Sequence, residues 1–148
     1  MRTTANDLLK SKTNQVWTIL PNATVFEALK LMADKEIGAL MVVDKPGKVA
    51  GIMTERDYAR KIVLKGKTSP KTLVKEIMTP VNKMYKVKPD TTVEDCMVLM
   101  TAKHIRHLPV FEGSKFKGLI SIGDVVKSTI SQKDVLINSL SDYIAGKY

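Results

Sequence analysis

The feature of this sequence that most constrains its fold is an internal repeat. The segment PNATVFEALKLMADKEIGALMVV, which begins at Pro21, aligns without gaps with PDTTVEDCMVLMTAKHIRHLPVF, which begins at Pro89. After a one-residue deletion in the next turn, VAGIMTERDYARKIV aligns with FKGLISIGDVVKSTI. Each copy is too small to bury a sizeable core alone, so we expect the two to pack into one unit with a pseudo-twofold axis.

Both copies show the same order of predicted elements. A helix begins at a threonine N-cap, Thr24 or Thr92, with an acidic residue three positions later and apolar residues at helical spacing. Two short apolar strands follow, joined by a turn, and a second helix ends the copy. A short strand before each proline completes the pattern. The sequence therefore predicts a mixed α/β (α+β) fold built from two β-α-β-β-α repeats.

The repeat also sets the predicted domain boundaries. Repeat 1 covers 5–63 and repeat 2 covers 73–130. The tract LKGKTSPKT at 64–72 is predicted to be a linker, because Gly, Pro and Lys are typical of loops. Residues 131–148 are predicted to form a C-terminal helix that packs on its own domain.

Cysteine usage and hydropathy indicate a cytoplasmic protein. The single cysteine, Cys96, lies in an apolar helical pattern, which favours a packing role and a reducing compartment. Apolar runs stay shorter than the 18 or so residues of a membrane span. The N-terminal stretch MRTTANDLLKSK lacks the hydrophobic segment of a signal peptide. We therefore expect a cytoplasmic location and no contact with membranes.

The formal net charge of +9 is concentrated in the middle of the chain, where 55–88 holds ten bases and three acids. Such a segment is either a solvated lysine-rich face or a surface for an anionic partner. Aromatic residues do not alternate with the lysines as a nucleic-acid stacking surface would require, so we favour the solvated face. A nucleic-acid-binding protein is the alternative function.

A short motif, Gly-apolar-x-Thr/Ser-x-x-Asp, occurs once in each repeat, as GIMTERD and as GLISIGD. In the first copy Thr54 can cap a helix while Asp57 bonds back to it, and Ser121 and Asp124 repeat this spacing. Taken alone, such a stretch only starts a helix. Its duplication at matching positions indicates a second role.

With these two motifs and the β-α-β-β-α order, nearly the whole chain resembles a tandem pair of CBS (cystathionine-β-synthase) domains, a stand-alone Bateman module. The resemblance implies that Asp57 and Asp124 bind the ribose hydroxyls of an adenosine-containing ligand. It also implies that the hydroxyls of Thr54 and Ser121 contact phosphate. Helix N-termini do favour phosphate, and a carboxylate can accept from vicinal hydroxyls.

The resemblance further implies a basic pair just before the second strand of the second repeat, HLPVF, and Arg106 and His107 occupy these positions. Arg106 can bind phosphate bidentately, whereas His107 can equally well have a structural role. A metal site at His104 and His107 is not favoured, because no further ligand stands at a suitable spacing.

The first repeat differs at this point, since Gly38 and Ala39 replace the basic pair. Phosphate at Thr54 would then be bound by Arg56, by Arg60 or by residues from across the pseudo-twofold axis. We therefore expect the second site to bind more tightly.

For the adenine base, the resemblance implies contacts from the first strand of the partner repeat. The candidates are Val16 and Trp17 for the Asp124 site, and Met84 and Tyr85 for the Asp57 site. Trp17 can equally well belong to the core.

These features predict a regulatory, allosteric module that senses AMP, ADP, ATP or NAD(H) and transmits its ligand state to an unidentified partner protein. No P-loop, nucleophile elbow or HExxH motif is present, so we expect no enzymatic activity and no required cofactor. We also expect a homodimer through apolar helix positions, for which the candidates are Ile62, Val63, Val126 and Ile130.

Overall fold

The computed structural model describes residues 2–12 and 16–146, and for 132–140 and 142–143 it describes the backbone only. Its helices are α1 (Ala5–Ser11), α2 (Val25–Lys35), α3 (Glu55–Tyr58), α4 (Val74–Ile77), α5 (Val93–Lys103) and α6 (Ile122–Ile144). Its strands are β1 (Thr18–Ile19), β2 (Ala39–Lys45), β3 (Lys48–Thr54), β4 (Thr79–Pro80), β5 (His107–Glu112) and β6 (Lys115–Ser121). Both helices and sheets are present, so the fold is mixed α+β.

The chain forms two compact units. Each unit contains most of one repeat together with the short helical segment that begins the other repeat, here called its leading segment: α1 in the second unit, and α4 with β4 in the first. The first unit contains 16–85 and the second contains 2–12 together with 86–146. Helix α1 thus lies in the second unit, although repeat 1 was predicted to begin at residue 5. The predicted linker, 64–72, and helix α4 after it both lie in the first unit.

Backbone hydrogen bonds explain this arrangement of the leading segments. In the second unit the N–H of Ala5 donates to the carbonyl of Thr91 at 2.8 Å, and the N–H of Val93 donates to that of Thr3 at 3.0 Å. In the first unit the N–H of Val25 donates to the carbonyl of Thr72 and that of Val74 to Ala23, both at 2.8 Å. Each short leading helix is therefore fixed to the N-terminus of a long helix through otherwise unpaired backbone groups.

The first unit is built on a four-stranded sheet in the order β1-β2-β3-β4. Strand β1 is parallel to β2, and the other two pairings are antiparallel. Strand β2 is buried from Ala39 to Val42, as expected for a short apolar strand covered on both faces. Its side chains form the core with α2 and the helical segment that follows β3.

In the second unit β5 and β6 form an antiparallel pair, and Val87 forms a parallel bridge to Val110. The strand predicted before Pro89 is thus reduced to one bridging residue. The core contains Leu108, Val110 and Ile120 from the strands and side chains from α1 and α5.

The predicted N-caps of the two long helices are confirmed. The hydroxyl of Thr24 accepts from the N–H of Glu27 at 3.1 Å, and that of Thr92 accepts from the N–H of Asp95 at 3.2 Å. Each of these helices ends at a residue in the left-handed conformation, Glu36 or His104, both with φ of 54°. The equivalence of the two repeats thus extends to the helix ends.

The C-terminal helix predicted for 131–148 is not a separate element, because α6 runs without interruption across residue 131 to Ile144. No Gly or Pro occurs between 124 and 144, so nothing in this part of the sequence ends the helix earlier. The last two residues of the predicted range lie outside the described residues. None of the helices described is both long and apolar enough to cross a membrane.

The apolar positions expected at a dimer interface divide into two groups. Val63, Val126 and Ile130 are exposed, whereas Ile62 is buried in the core of the first unit. The expectation for Ile62 was therefore wrong. After α3 the chain continues as a π-helical stretch over Ala59–Val63, whose extra residue per turn changes which side chains point inward.

Candidate functional site

In the first unit the repeated motif forms the junction between β3 and α3. The N–H of Thr54 donates to Asp57 Oδ2 at 3.0 Å, and the N–H of Asp57 donates back to Thr54 Oγ1 at 3.3 Å. The next N–H, that of Glu55, donates to the carbonyl of Gly38 at 3.1 Å. This is the predicted capping box, and it fixes the carboxylate beside the end of the strand.

The junction between β6 and α6 repeats this arrangement in the second unit. The N–H of Ser121 donates to Asp124 Oδ2 at 2.8 Å, and the N–H of Asp124 donates to Ser121 Oγ at 3.2 Å. The N–H of Ile122 donates to the carbonyl of Arg106 at 2.8 Å, as Glu55 does to Gly38. Both motifs therefore adopt one backbone geometry.

Strand register confirms which residues face the two caps. Ala39 pairs with Thr54 across β2 and β3, and His107 pairs with Ser121 across β5 and β6. Gly38 and Ala39 thus occupy the positions that Arg106 and His107 occupy in the second unit. The difference between the two sites that the alignment predicted exists in the structure.

The glycine of each motif lies at a close contact, with backbone in the first unit and with a side chain in the second. A Cβ on Gly51 would collide with the carbonyl oxygen of Thr79 in β4. A Cβ on Gly118 would lie 2.7 Å from Cδ2 of Leu9 in α1. In both units the missing side chain thus makes room for the leading segment described above.

Each motif carboxylate pairs with a lysine that the sequence analysis missed. In the first unit Lys61 Nζ lies 3.1 Å from Asp57 Oδ1 and donates to the carbonyl of Ile77 at 2.8 Å. In the second unit Lys12 Nζ lies 2.9 Å from Asp124 Oδ2 and donates to the carbonyl of Leu119 at 2.9 Å. The spacing of Asp57 and Lys61, four residues along a helix, could have indicated the first pair. No local signal indicates the second.

The two carboxylates differ in exposure. The side chain of Asp57 is 12% exposed, whereas that of Asp124 is 23% exposed. The carboxylate of the second unit is therefore the more accessible one for a ligand.

Positive charge collects around the motif of the second unit. Burial lowers the pKa of His107, and the nearby charges of Lys12 and Arg106 lower this pKa further, while Asp124 partly opposes them. The imidazole is therefore largely neutral at pH 7, and the positive charge comes from Lys12 and the exposed Arg106. Of these two cations, Lys12 lies beside the Ser121 cap, where it shares Oδ2 of Asp124 with the N–H of Ser121.

The residues expected to contact a base lie in the first unit. Trp17 packs against the core of this unit, and Lys35 Nζ lies 4.2 Å from the centre of its ring. This supports the core role of Trp17, and the ligand contact stays a prediction, as it does for the half-buried Val16. Met84 and Tyr85 follow a 3₁₀ turn, where Met84 is half-buried and Tyr85 exposed.

The remaining candidates are placed as follows. Arg56 lies half-buried in the first turn of α3, and Arg60 is exposed. His104 lies at the C-terminal end of α5, whereas His107 lies at the start of β5. Among the residues that the structure describes, no three His, Cys, Asp or Glu side chains lie close enough to hold a metal ion.

An open groove of about 400 Å³ lies where α2 ends and α3 begins. It is lined by Leu29, Met32, Ala33, Glu36, Ile37, Gly38 and Glu55. This lining combines apolar side chains with two carboxylates and contains no cation, so it does not suit a phosphate. The groove adjoins the first junction through Gly38 and Glu55, so the lack of a cation in its lining agrees with weaker anion binding there than at the second junction.

Comparison with known proteins covers both units. The sequence model of the CBS domain matches the chain twice, over 5–64 and 74–136. The mitochondrial CBS domain-containing protein CBSX3 of Arabidopsis thaliana is 42% identical over 99% of this chain and 74% of its own length. A solved protein with CBS domains from Burkholderia ambifaria MC40-6 is 51% identical, with a TM-score of 0.81 over 87% of this chain and 95% of that one. CBSX2, solved in complex with AMP, shares the fold at 24% identity, with a TM-score of 0.71 over 88% of this chain and 98% of that one.

Proposed function

Because the chain belongs to the CBS-domain family, we propose that it is a regulatory module that binds an adenine nucleotide and transmits its ligand state to a partner protein. The observation that carries this proposal is the duplicated junction, in which Asp57 and Asp124 are fixed in the same way beside Thr54 and Ser121. A carboxylate, a hydroxyl and a helix N-terminus then stand together twice in one chain.

Each group at the junction has a chemical role in this proposal. The carboxylate accepts hydrogen bonds from the vicinal hydroxyls of ribose, as a carboxylate does in dinucleotide-binding folds. It would repel a phosphate, so the phosphate belongs at the capping hydroxyl and the helix N-terminus. In the second unit Arg106 and Lys12 supply the positive charge.

The ligand class of the proposal is AMP, ADP, ATP or NAD(H), and AMP is the first to test because the related fold CBSX2 was solved with AMP. The proposed module is not an enzyme, since the residues around the junction supply no activated nucleophile for the bound nucleotide. Ligand binding regulates a partner only if the ligand has different affinities for two conformations of the module.

The proposal includes a homodimer in the cytoplasm. Val126 and Ile130, one helical turn apart on α6, are 43% and 52% exposed, which suits an interface between two copies. A cytoplasmic location rests on the single cysteine, Cys96, which is buried in the core of the second unit and unpaired.

The second site should bind AMP more tightly than the first. Arg106 replaces Gly38, and a hydrogen bond to a charged group contributes about 1.5–3 kcal/mol, or about tenfold to a hundredfold in affinity. Calorimetry with AMP should therefore show a tight phase that Asp124→Asn removes and Asp57→Asn leaves in place. Loss of the tight phase in Asp57→Asn alone would assign it to the first unit.

The same titrations separate this function from nucleic-acid binding. Binding to a phosphate backbone falls steeply as the salt concentration rises, whereas ribose recognition by a carboxylate does not. If none of the four nucleotides binds, and the protein instead binds oligonucleotides with a steep salt dependence, the proposed function is wrong.

A further inference from the structure

Lys12 occupies an unusual place for a surface lysine. It follows α1, and its N–H donates to the carbonyl of Leu9 at 3.3 Å, which fixes its backbone at the end of the helix. Its ammonium group bonds both the carbonyl of Leu119 and the carboxylate of Asp124, each at 2.9 Å. Only 25% of its side chain is exposed. Ordering a long lysine side chain costs conformational entropy, so these two bonds have to offset that cost.

The ammonium competes with a ribose for the same carboxylate. Both Lys12 and the N–H of Ser121 bond Oδ2 of Asp124, so this oxygen already accepts two hydrogen bonds. Two vicinal hydroxyls need acceptor positions on the same carboxylate. In the first unit Lys61 bonds the other oxygen, Oδ1, and comes from the same helical segment as Asp57. Only in the Asp124 site, therefore, does the lysine bond the same carboxylate oxygen, Oδ2, as the backbone N–H of the cap.

We propose that Lys12 makes the second site select phosphorylated ligands, by pairing with Asp124 when the site is empty and with the ligand's phosphate when a nucleotide binds. This inference rests on the proposed function. A nucleoside whose two hydroxyls bind both oxygens of Asp124 has to displace the ammonium from Oδ2 and offers it no anion in return. A nucleotide offers the phosphate as a new partner, so the ion pair is exchanged rather than lost.

The geometry allows this exchange without movement of the backbone. The ammonium lies beside the Ser121 cap, because it shares an oxygen with the N–H of Ser121. That cap is also where the proposed function places the phosphate. Lysine carries its charge on a flexible four-carbon stem, so rotation of its outer bonds can move the ammonium from one oxygen to another. The helix end at Leu9 keeps the base of the side chain in place.

The test compares AMP and adenosine in calorimetry on the full chain and on Lys12→Met. This variant keeps the apolar stem and removes the charge. Adenosine should bind about tenfold more tightly to the variant, because its competitor at Asp124 is gone. AMP should gain nothing or bind more weakly, so the preference for AMP over adenosine should fall by about tenfold to a hundredfold.

Two further variants separate the role of Lys12 from a general effect of positive charge. Lys10→Met removes an exposed charge from the same helix and should leave both affinities unchanged. Arg106→Ala should weaken AMP but should not tighten adenosine, because the carboxylate of Asp124 is paired with Lys12 and not with the guanidinium of Arg106. If Lys12→Met does not fold, Lys12→Gln keeps a donor for Leu119 and supports the same comparison.

The proposal is overturned if Lys12→Met changes the affinities for AMP and adenosine by the same factor, or changes neither. The proposed function fails in a different way. In that case the unaltered protein binds neither AMP nor adenosine, nor any other of the adenine nucleotides, and the selectivity proposed for Lys12 falls with it.

Discussion

Replacing Gly51 by alanine tests the tight contact between β3 and β4. Gly51 lies opposite Pro80 in this pairing, and the added Cβ would collide with the carbonyl oxygen of Thr79. It would also lie 3.0 Å from Sδ of Met78. A methionine side chain can move aside, but a backbone carbonyl can do so only if β4 moves with it.

The cost follows from what β4 loses. Forcing an extra methyl group into a packed site typically costs about 1–3 kcal/mol. Moving β4 away also weakens its pairing with β3 at Gly51 and Ile52, and each lost hydrogen bond costs about 0.5–1.5 kcal/mol. With one bond lost at each of these two pairs, Gly51→Ala should lower the free energy of unfolding by about 2–6 kcal/mol, a large part of the roughly 5–15 kcal/mol of a typical domain.

Urea denaturation measures this loss of stability. The fluorescence of Trp17, the single tryptophan, reports the unfolding of the first unit, because Trp17 packs against the core of that unit. Gly123→Ala is the matched control. A Cβ there would meet only Ser121 Oγ at 3.5 Å, and alanine is about 1 kcal/mol better than glycine inside a helix, so this variant should be neutral or more stable. If Gly51→Ala unfolds within about 0.5 kcal/mol of the unaltered protein, the range of an ordinary surface substitution, glycine at this position is not required for packing.

Three other outcomes are expected. Stability should decline as the pH falls below 6.5, because burial and two nearby cations lower the pKa of His107, so the unfolded chain takes up this proton before the folded chain does. His107→Gln should remove this part of the pH dependence in thermal unfolding scans, and a slope that His104→Asn removes instead would contradict the assignment. Burial and two acidic neighbours raise the pKa of Cys96 to about 11, so this thiol should react with a disulfide reagent at pH 7 only after denaturant is added, and rapid reaction of the native protein would count against its burial. Light scattering should give about twice the chain mass of 16.4 kDa, and Val126→Glu with Ile130→Glu should reduce it to the monomer, whereas a monomer mass for the unaltered protein would rule out the homodimer.

The predictions that succeeded depend on residues close together in the sequence. The caps at Thr24, Thr54, Thr92 and Ser121 each join groups three residues apart, so their bonds follow from residue type and spacing. The ungapped alignment of the two repeats matched Ala39 to His107, and the strand registers give these two residues equivalent partners, Thr54 and Ser121. Residue types at short spacings were therefore sufficient to predict the β-α-β-β-α order and the position of the motif.

The prediction for Ile62 failed for a reason that is also local but invisible in the hydrophobic pattern. Ile62 and Val63 are neighbouring apolar residues of the helix predicted to end repeat 1, and both were expected on its exposed face. The π-helical stretch Ala59–Val63 changes the angle between successive side chains, so Ile62 turns into the core while Val63 stays exposed. The order of apolar and polar residues does not show where an α-helix changes to a π-helix.

The sequence by itself determined the repeat, the caps and the two carboxylates, because each depends on residue types at short, fixed spacings. Only the tertiary structure decided which unit each leading helix joins, what each motif glycine packs against, and which lysine reaches Asp124. Lys12 and Asp124 are 112 residues apart, and their ion pair exists only because α1 packs against β6 at Gly118. Closing so long a loop is driven by the burial of α1 side chains and by backbone bonds at Thr91 and Pro89, and these energies depend on the whole fold rather than on any local pattern.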